Sequence, residues 1–272
     1  MPEIAEVRTV AKTLNKTIVG RKIISIDTPY KNIIKSDVEE FINILKGKTF
    51  KSVTSNGKWL IFNLGDYSYI SHLRMEGKYF IKPSSEEIVK HEHIIFSLDD
   101  NNDLRYHDTR KFGRMDLVKK EDLEKVEGVH KQGIEPISDD LTKEYLFEKF
   151  KKSNKYIKTL LLDQTIISGL GNIYADEVLF GASIKPTRRG SSIKLNECQK
   201  IVDASRKIIL KAMEEGGTTI RSYTSSLGVT GNYQNFLKVH QRKGEECKVC
   251  HNIIKKITVD GRGTYYCSKC QH

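Results

Sequence analysis

Hydrophobic residues at the start of the chain recur at steps of three and four, which is the spacing of one face of an α-helix. The members of this face are Ile4, Val7, Ala11, Leu14 and Ile18. Gly20 follows them and is a typical helix terminator. Pro2 suits the first helical position, where the missing N–H of proline costs nothing. The pattern therefore predicts an amphipathic helix over the first 19 residues.

Between Lys22 and about Asp116 the pattern changes to short runs rich in Ile, Val, Phe and Tyr, separated by turn signals. Asn56-Gly57 is a tight hairpin signal between two such runs. A second turn is predicted at Asp99–Asp103, and a helix over residues 36–46. Several short strands at this spacing predict a β-sandwich or barrel.

The second half of the chain is mainly helical in its spacing. Residues 119–140 are polar and are interpreted as a linker. The helices predicted after it cover 141–152, 155–163 and about 195–215, the last ending at Gly216-Gly217. The stretch 217–235 is rich in Gly, Thr, Ser and Tyr and is predicted to be a mobile loop. A cysteine-bearing module begins near residue 236.

The charge balance predicts the class of partner that the protein binds. The chain has 272 residues and a formal charge of +11, from 46 Lys and Arg against 35 Asp and Glu. Such an excess favours a polyanion, nucleic acid before an anionic membrane. No run of about 18 apolar residues is present to span a membrane. The start MPEIAEVRTV does not resemble a signal peptide, so we expect a cytoplasmic protein without disulfides, associated with the nucleoid if bacterial.

Four of the five cysteines form two C-x2-C pairs separated by sixteen residues. These are Cys247, Cys250, Cys267 and Cys270. Each pair can bind one side of a metal ion, and four thiolates complete a tetrahedral shell. The spacing predicts one structural Zn²⁺, with His251 and His272 close enough to substitute as ligands. Cys198 stands alone in a helical pattern and is interpreted as a small core residue.

The segment between the cysteine pairs predicts two strands joined by Asp260–Gly263, a zinc-ribbon hairpin. Residues 242–272 hold seven Lys or Arg and three Asp or Glu, which suits contact with phosphate, although a purely structural clip stays open. Upstream, Gly169 and Gly171 precede Asn172, a good N-cap for a helix starting at Ile173. Such a helix start favours a phosphate, but a Gly-rich turn of this kind is more often only a turn.

The N-terminal proline is a candidate nucleophile. Methionine before proline is usually removed, which would leave the secondary amine of Pro2 next to Glu3 and Glu6. An α-amino group has a pKa of about 7.7–8.0 and is partly neutral at pH 7. It can attack a sugar carbon to form an imine while Glu3 moves protons. From the residues alone, the alternative is that Pro and Glu merely start a helix.

Five motifs decide between these alternatives when taken together. They are PEIAEV at the N-terminus, HLRMEGKY at 72–79, HDTRKFGRM at 107–115, GLGNIYADE at 169–177 and GRGTYYCSKCQ at 261–271. The chain resembles formamidopyrimidine-DNA glycosylase from end to end. The resemblance implies an α+β protein with an N-terminal β-sandwich flanked by helices. It also implies a C-terminal helix–two-turn–helix domain with a four-cysteine zinc ribbon, and DNA in the cleft between the domains.

The resemblance also implies catalytic roles. Pro2 matches the nucleophile that attacks C1′, and Glu3 matches the proton donor for base loss and sugar ring opening. Lys58 matches the lysine linked to β-elimination, and Arg262 matches the arginine linked to δ-elimination. The implied reaction is excision of oxidised purines, 8-oxoguanine and formamidopyrimidines, through a Schiff base, followed by β,δ-elimination of the abasic strand.

The DNA-binding positions follow from the same resemblance. Met75, Arg110 and Phe112 match the residues that fill the gap left by a flipped nucleotide. His91, Asn172 and Arg262 match DNA contacts, with His93 a competitor for His91. Glu76 and the loop 217–235 would cover the flipped base. Taken singly, Lys58 and Arg110 could be surface charges, and Met75 and Phe112 could be core residues.

The sequence departs from the family pattern at several positions. Ala5 replaces a usual proline and Arg8 a usual glutamate, both beside the predicted active helix. His240 stands where the family often has tyrosine. A family lysine aligns with Ser153, so Lys152 or Lys155 is expected to serve instead.

The resemblance completes the domain plan and leaves two rival functions. The predicted parts are a catalytic domain 1–128, a linker 129–140, a helix–two-turn–helix domain 141–235 and a zinc ribbon 236–272. We expect a monomer that acts on double-stranded DNA carrying oxidised bases or abasic sites. The rivals are an endonuclease VIII type glycosylase for oxidised pyrimidines and a non-catalytic zinc-ribbon DNA-binding protein.

Overall fold

A computed structural model describes residues 1–218 and 231–272 of the chain, with the side chains of 127 and 128 excepted. The chain forms two compact units. The N-terminal unit consists of Met1–His130 and Gly216–Gly231, and the C-terminal unit of Lys131–Glu215 and Asn232–His272. Within the described residues, no helix is long and apolar enough to cross a membrane.

The helices of the N-terminal unit are α1 (Ile4–Ile18), α2 (Val38–Leu45) and α3 (Glu127–His130). The predicted first helix is confirmed, and Gly20 follows its end with φ +87°. The prediction that Pro2 occupies the first helical position is wrong by two residues, since the helix begins at Ile4. Glu3 is the N-cap, with extended backbone angles of φ −105° and ψ −173°, so Pro2 lies before the helix.

Two four-stranded antiparallel sheets form the body of this unit, with strand orders β1-β6-β7-β5 and β2-β3-β4-β8. The strands are β1 (Ile23–Asp27), β2 (Ser52–Asn56), β3 (Trp59–Asn63), β4 (Tyr67–His72), β5 (Lys78–Pro83), β6 (Glu92–Leu98), β7 (Asn102–His107) and β8 (Arg114–Lys119). Inward residues of both sheets share one core with α1 and α2. Tyr69 of one sheet stacks on Phe96 of the other at 5.3 Å, as a sandwich requires.

The first hairpin turn is one residue later than predicted. Asn56 pairs with Trp59, so the two turn residues are Gly57 and Lys58. Gly57 has φ +55°, which glycine tolerates at the first position of such turns. The shift matters because it places Lys58 in the turn itself.

Residues 119–140 are more structured than the predicted linker. A short 3-10 helix, Lys120–Lys125, continues into α3. The apolar side chains of Leu123, Val126 and Val129 pack on a small cluster that includes Trp59 and Ile70. The sequence looked polar because only every third residue is apolar, which is the pattern of a helix lying on a sheet.

The elements of the C-terminal unit are α4 (Lys143–Phe150), α5 (Ile157–Leu162), α6 (Asn172–Gly181), α7 (Leu195–Glu214), β9 (Lys255–Val259) and β10 (Arg262–Tyr266). The three predicted helices and the ribbon hairpin are confirmed. Asp260 and Gly261 form the hairpin turn, with φ +43° and +75°. Of the predicted loop 217–235, residues 219–230 lie outside the described chain, and Tyr233–Phe236 form a 3-10 helix.

A buried arginine organises the connection between β5 and β6. Arg105 is fully buried and pairs with Asp103 at 3.0 Å and with Glu92 at 3.0 Å. It also donates to the backbone carbonyls of Pro83, Glu86 and Glu87. A single side chain therefore fixes the whole segment 84–91, which ends at His91.

We predict that Arg105→Met lowers the free energy of unfolding by about 3–5 kcal/mol, because two carboxylates and three carbonyls lose a buried partner. Urea unfolding measures the change. The matched control is Arg21→Met, since Arg21 pairs with Asp100 at 3.0 Å but is 46% exposed. That exposed pair is expected to contribute only about 0–1 kcal/mol. Equal effects of the two substitutions would contradict a structural role for Arg105.

Candidate functional site

The N-terminus of α1 is held by one carboxylate. Glu6 accepts a hydrogen bond from the backbone N–H of Glu3 at 2.9 Å through Oε2. Its Oε1 accepts from the backbone N–H and the hydroxyl of Thr218, at 2.7 and 3.0 Å. Glu3 and Glu6 are 3% and 4% exposed, whereas Met1 is 44% exposed over a buried Pro2. The terminus is accessible, while the acidic groups behind it are fixed.

Two glycines allow this close contact. Gly217 has φ +84°, and a Cβ there would lie 2.7 Å from Glu6 Oε1. A Cβ on Gly231 would lie 2.3 Å from the carbonyl oxygen of Gly217. Gly217 and Gly231, which lie on opposite sides of the segment 219–230 along the chain, are therefore side by side next to the start of α1. Sequence reasoning noted Glu6 but missed Thr218, because 212 positions separate the two.

Lys58 is 6% exposed in the turn before β3 of the same unit, so it is not an ordinary surface lysine. Trp59, which follows Lys58, pairs with His72 of the neighbouring strand β4. Burial first, and then the charges of Arg74, Lys58 and Arg114, lower the pKa of His72 to about 3. The neutral ring accepts the backbone N–H of Arg74 at Nδ1, 2.9 Å away. This end of the sheet therefore concentrates positive charge.

The histidines before and after the start of β6 differ in accessibility. His91 is half-buried and has φ +76°, a left-handed conformation that is uncommon outside glycine. His93 is buried, and its Nε2 lies 2.9 Å from the carbonyl oxygen of Asp108. Of the two candidates, His91 is therefore the one whose ring is available to a ligand.

Two neighbouring turns of the N-terminal unit expose large apolar side chains. Met75 is 38% exposed and Phe112 is 54% exposed, so neither is a core residue. The guanidinium of Arg110 lies 4.7 Å from the ring of Phe112. Glu76, next to Met75, is half-buried. An apolar pair beside a cation suits insertion into a stack of bases better than contact with water.

Buried groups beneath these turns fix their shape. Asp108 accepts the backbone N–H groups of Arg110 at 3.0 Å and Gly113 at 2.8 Å. A Cβ on Gly113 or Gly77 would lie 1.8 or 2.2 Å from the hydroxyl of Tyr106. Both turns therefore require glycine to close over Tyr106, which explains the RMEG and RKFG patterns.

In the C-terminal unit, the ribbon hairpin is anchored by a buried ion pair. Lys158 of α5 is fully buried and binds Asp176 of α6 at 2.7 Å. Its ammonium also donates to Thr264 Oγ1 at 2.8 Å and to the carbonyl of Gly263 at 3.2 Å. The exposed Arg262 precedes these two residues, so its position is fixed by Lys158. Sequence reasoning missed this pair because a lysine and an aspartate in helices usually face solvent.

Asn172 contributes to the same anchor. The prediction that it caps a helix starting at Ile173 is wrong, since Gly171 is the N-cap and Asn172 the first helical residue. Its side-chain amide donates to the carbonyl of Gly263 at 3.0 Å. Gly171 has an extended backbone at this cap, with φ −132° and ψ −161°.

His240, which stands where the family often has tyrosine, is buried. Its Nδ1 lies 2.7 Å from Asp176. The carboxylate of Glu177 accepts the backbone N–H groups of Lys238, Val239 and His240 at 2.8–2.9 Å. Burial raises the pKa of Glu177, and these donors oppose the shift. Asp176 and Glu177, which are adjacent in α6, therefore hold the loop that contains residues 238–240.

Two lysines lie near Ser153, which aligns with a lysine of the family. Lys152 and Lys155 are both exposed on the connection between α4 and α5. The Ser153 hydroxyl accepts the backbone N–H of Lys155 at 3.3 Å. Ser153 therefore shapes the turn that presents both lysines.

The four paired cysteines converge on one point. Their sulfur atoms all lie within 4.8 Å of one another. The Cys250–Cys267 and Cys247–Cys270 separations are 3.4 and 3.9 Å. A tetrahedral ion with Zn–S bonds of about 2.3 Å places its ligands roughly 3.8 Å apart, so the set fits zinc. These distances are too long for disulfides, whose sulfurs lie about 2.05 Å apart. His251 and His272 are exposed and not needed as ligands.

Known families and proteins are similar to this chain along its length. Models of the formamidopyrimidine-DNA glycosylase N-terminal domain and H2TH domain match residues 1–115 and 132–224. A model of the zinc finger found in FPG and IleRS matches residues 244–272. The formamidopyrimidine-DNA glycosylase of Bacillus anthracis is 42% identical over 273 residues, covering 100% of this chain and 99% of its own. That of Streptococcus mutans is 44% identical over 271 residues, with the same coverage.

The chain belongs to the formamidopyrimidine-DNA glycosylase family. The structure of a Lactococcus lactis FPG mutant complexed with Fapy-dG containing DNA is similar, with a TM-score of 0.95, 40% identity and 100% of both chains covered. The complex of Lactococcus lactis Fpg with an abasic site containing DNA is also similar, with a TM-score of 0.94, 41% identity and 99% of both chains covered.

Family membership confirms the predicted fold class and enzyme class. The chain is a base excision repair DNA glycosylase and lyase of mixed helix and sheet, with one structural zinc ion. The rival prediction of a non-catalytic zinc-ribbon protein is therefore wrong. It accounted for the charge and the cysteines but not for the N-terminal residues.

The depressed pKa of His72 predicts a pH dependence of stability. An unfolded histidine has a pKa of about 6.5, so below pH 6.5 the unfolded chain binds a proton that folded His72 refuses until about pH 3. The contribution of neutral His72 to the free energy of unfolding is complete above pH 6.5 and decreases as the pH falls below that value. Between pH 7 and pH 5, the wild type should lose about 2 kcal/mol more unfolding free energy than His72→Asn, measured in urea. Parallel profiles would contradict this assignment.

Loss of zinc should unfold the ribbon without unfolding the N-terminal unit. Cys267→Ser should release zinc and unfold the hairpin, because structural sites fold with their metal. Duplex binding should weaken by about tenfold or more, while the N-terminal sandwich stays folded. Zinc content, circular dichroism and anisotropy with a labelled duplex measure this. Cys198→Ser is the matched control, a buried cysteine outside the cluster, and should retain zinc. Unchanged DNA affinity after zinc loss would count against the ribbon.

Proposed function

We propose that this enzyme excises oxidised purines, 8-oxoguanine and formamidopyrimidines, from duplex DNA through a Schiff base with Pro2. It then cleaves the abasic strand by β,δ-elimination. The observation that carries the proposal is the geometry at the start of α1, where Pro2 precedes the buried Glu3 and Glu6 fixes the backbone of both Glu3 and Thr218. Neither an ordinary helix start nor a DNA-binding module needs this arrangement.

Removal of the exposed Met1 would create the nucleophile. The neutral imino nitrogen of Pro2 attacks C1′, the bond from C1′ to the base breaks, and the base leaves with the electron pair of that bond. The proton lost from nitrogen neutralises the departing base. Glu3 then donates a proton to O4′ as the C1′–O4′ bond breaks, which gives the iminium ion. A carboxyl that is 3% exposed can exchange protons with the substrate without competition from bulk water.

Strand cleavage would follow from the imine. The iminium acidifies the protons at C2′, and two successive eliminations release the 3′ and then the 5′ phosphate. We assign Lys58 to β-elimination and Arg262 to δ-elimination. The supporting observations are that Lys58 is buried beside a cationic cluster, and that Arg262 is exposed on a hairpin anchored by Lys158.

Reaching C1′ requires the nucleotide to leave the stack. We assign Met75 and Phe112 as wedges and Arg110 as the partner of the orphaned base, because all three are exposed on adjoining turns. Glu76 would lie over the extruded base. The DNA contacts that we assign outside these turns are His91, Asn172, Arg262 and Lys152. Unstacking costs a few kcal/mol, which phosphate contacts to a chain of net charge +11 would offset.

Double-stranded DNA is the proposed partner. Similar structures from Lactococcus lactis are complexes with DNA containing Fapy-dG, an abasic site or an oxidised pyrimidine. We expect a monomer in the cytoplasm, associated with the nucleoid in a bacterium. The proposed functional parts are the catalytic domain 1–128, a linker 129–140, the helix–two-turn–helix domain 141–235 and the ribbon 236–272.

Borohydride trapping tests the nucleophile. Reduction of the imine should join the wild-type chain covalently to a duplex carrying 8-oxoguanine opposite cytosine. A tag retained before Pro2 should abolish the adduct, because an amide nitrogen cannot form an imine. The same tag after His272, which is exposed, is the matched control and should leave trapping intact. Equal trapping by the blocked protein would refute the role of Pro2.

The same assay separates the lesion classes. A duplex carrying thymine glycol replaces the 8-oxoguanine duplex under identical conditions. Faster adduct formation with 8-oxoguanine supports the purine assignment. A preference for the glycol would instead favour the endonuclease VIII type, without affecting the conclusion on Pro2.

A further inference from the structure

A pocket in the C-terminal unit is lined by none of the individual catalytic and DNA-contacting residues that we assign to the repair reaction. It encloses about 470 Å³ between the end of α6, the middle of α7 and the short helix Tyr233–Phe236. Its apolar lining includes Phe180, Ile208 and Phe236. This volume lies within the range of about 300–1,000 Å³ that is typical of ligand sites.

Small residues at the helix crossing shape the pocket. A Cβ on Gly181 would lie 3.2 Å from the Cβ of Ala204 and 3.6 Å from Ile208, so a larger residue there would press on α7. Tyr233 is buried, and Phe236 stacks on it with ring centroids 6.0 Å apart. Phe236 nevertheless remains 42% exposed. The pocket thus presents an aromatic surface that its own unit leaves open.

The rim of the pocket is strongly positive. It carries Lys200, Lys207, Lys211 and Lys238. The three lysines of α7 follow one another at steps of seven and four, which keeps them on one face of the helix. Lys211 pairs with Glu214 and Glu215. Within the described parts of the chain, the other three rim lysines form no ion pair.

The two acids that line the pocket offset only part of the charge of its four lysines. The carboxylate of Glu177 is occupied by three backbone N–H groups, and Asp203 accepts from Gln199 at 2.8 Å. The lining therefore suits an occupant that brings negative charge together with an apolar group.

We propose that this pocket binds an acidic peptide segment of a partner protein, with one aromatic side chain seated on Phe180, Ile208 and Phe236. Carboxylates on either side of the anchor would meet the lysines of α7 and Lys238. A single buried anchor within a ring of charged contacts is the usual arrangement of a peptide hot spot. The site would recruit the enzyme without occupying its catalytic residues.

Duplex DNA fits the pocket less well. Its outer surface offers phosphates and polar base edges, and among apolar groups only the thymine methyl. Such a ligand has no use for an apolar cavity. The pocket also lies at the far end of α6 from Asn172, about 12 Å away along the helix axis. A single strand could stack a base on Phe236, so it is a separate outcome of the test.

The experiment uses the full-length zinc-loaded protein and a fluorescein-labelled peptide of aspartates flanking one phenylalanine. Anisotropy should show saturable binding. Replacing the phenylalanine by glycine, or the aspartates by asparagines, should each weaken binding by about tenfold. Protein variants Lys207→Glu and Phe236→Ala should weaken it by a similar factor, with excision from an 8-oxoguanine duplex unchanged. Both residues are exposed, so these variants should fold, which thermal unfolding checks.

Lys143→Glu is the matched control, a charge reversal on a residue of α4 whose side chain is 40% exposed, and should leave peptide binding unchanged. Three results would overturn the proposal. One is the absence of saturable binding up to millimolar peptide. Another is an equal loss with Lys143→Glu, which would indicate only general attraction. The third is that labelled oligo(dT) binds more tightly than the peptide and that Lys207→Glu and Phe236→Ala abolish this binding. That result would make the pocket a site for single-stranded DNA.

Discussion

The carboxylate of Glu6 is the constraint on which the rest of the catalytic unit depends. It joins the N-cap of α1 to Thr218, so the chain start and the residues flanking the segment 219–230 share one buried anchor. A reactive terminus is normally the most mobile part of a chain. Here burial of Glu3 and Glu6, at 3% and 4% exposed, restricts the terminus to one geometry. Catalysis gains from such preorganisation because the orientation is set before the substrate arrives.

Buried charge serves the same purpose elsewhere in the molecule. Arg105 fixes the connection that ends at His91, and Lys158 fixes the hairpin that carries Arg262. Both residues are fully buried with carboxylate partners. Buried ion pairs add little net stability compared with apolar packing, but they specify one arrangement. That trade suits an enzyme whose DNA contacts are placed on turns and hairpins. The zinc ion has the same function in a ribbon too small to build its own core.

The sequence predicted the parts of the fold that depend on local rules. The helix over 4–18, the strands around Asn56-Gly57 and the cysteine spacing all follow from periodicity, turn chemistry or ligand geometry within a few residues. Errors of one or two residues arose where a cap or turn was assigned by residue type, as at Pro2, Gly57 and Asn172. The pairs Glu6–Thr218 and Lys158–Thr264 could not be predicted, because they join residues 212 and 106 positions apart through burial that no local pattern encodes. Of these four residues, only Glu6 and Thr264 lie within the family motifs.

The account as a whole depends on a free imino group at Pro2. The most direct measurement combines mass spectrometry of the N-terminus with the burst amplitude of a single turnover on a lesion-containing duplex. In preparations with different degrees of methionine removal, the amplitude should equal the fraction of chains that begin at Pro2. An amplitude that stays constant while most chains retain Met1 would contradict the account.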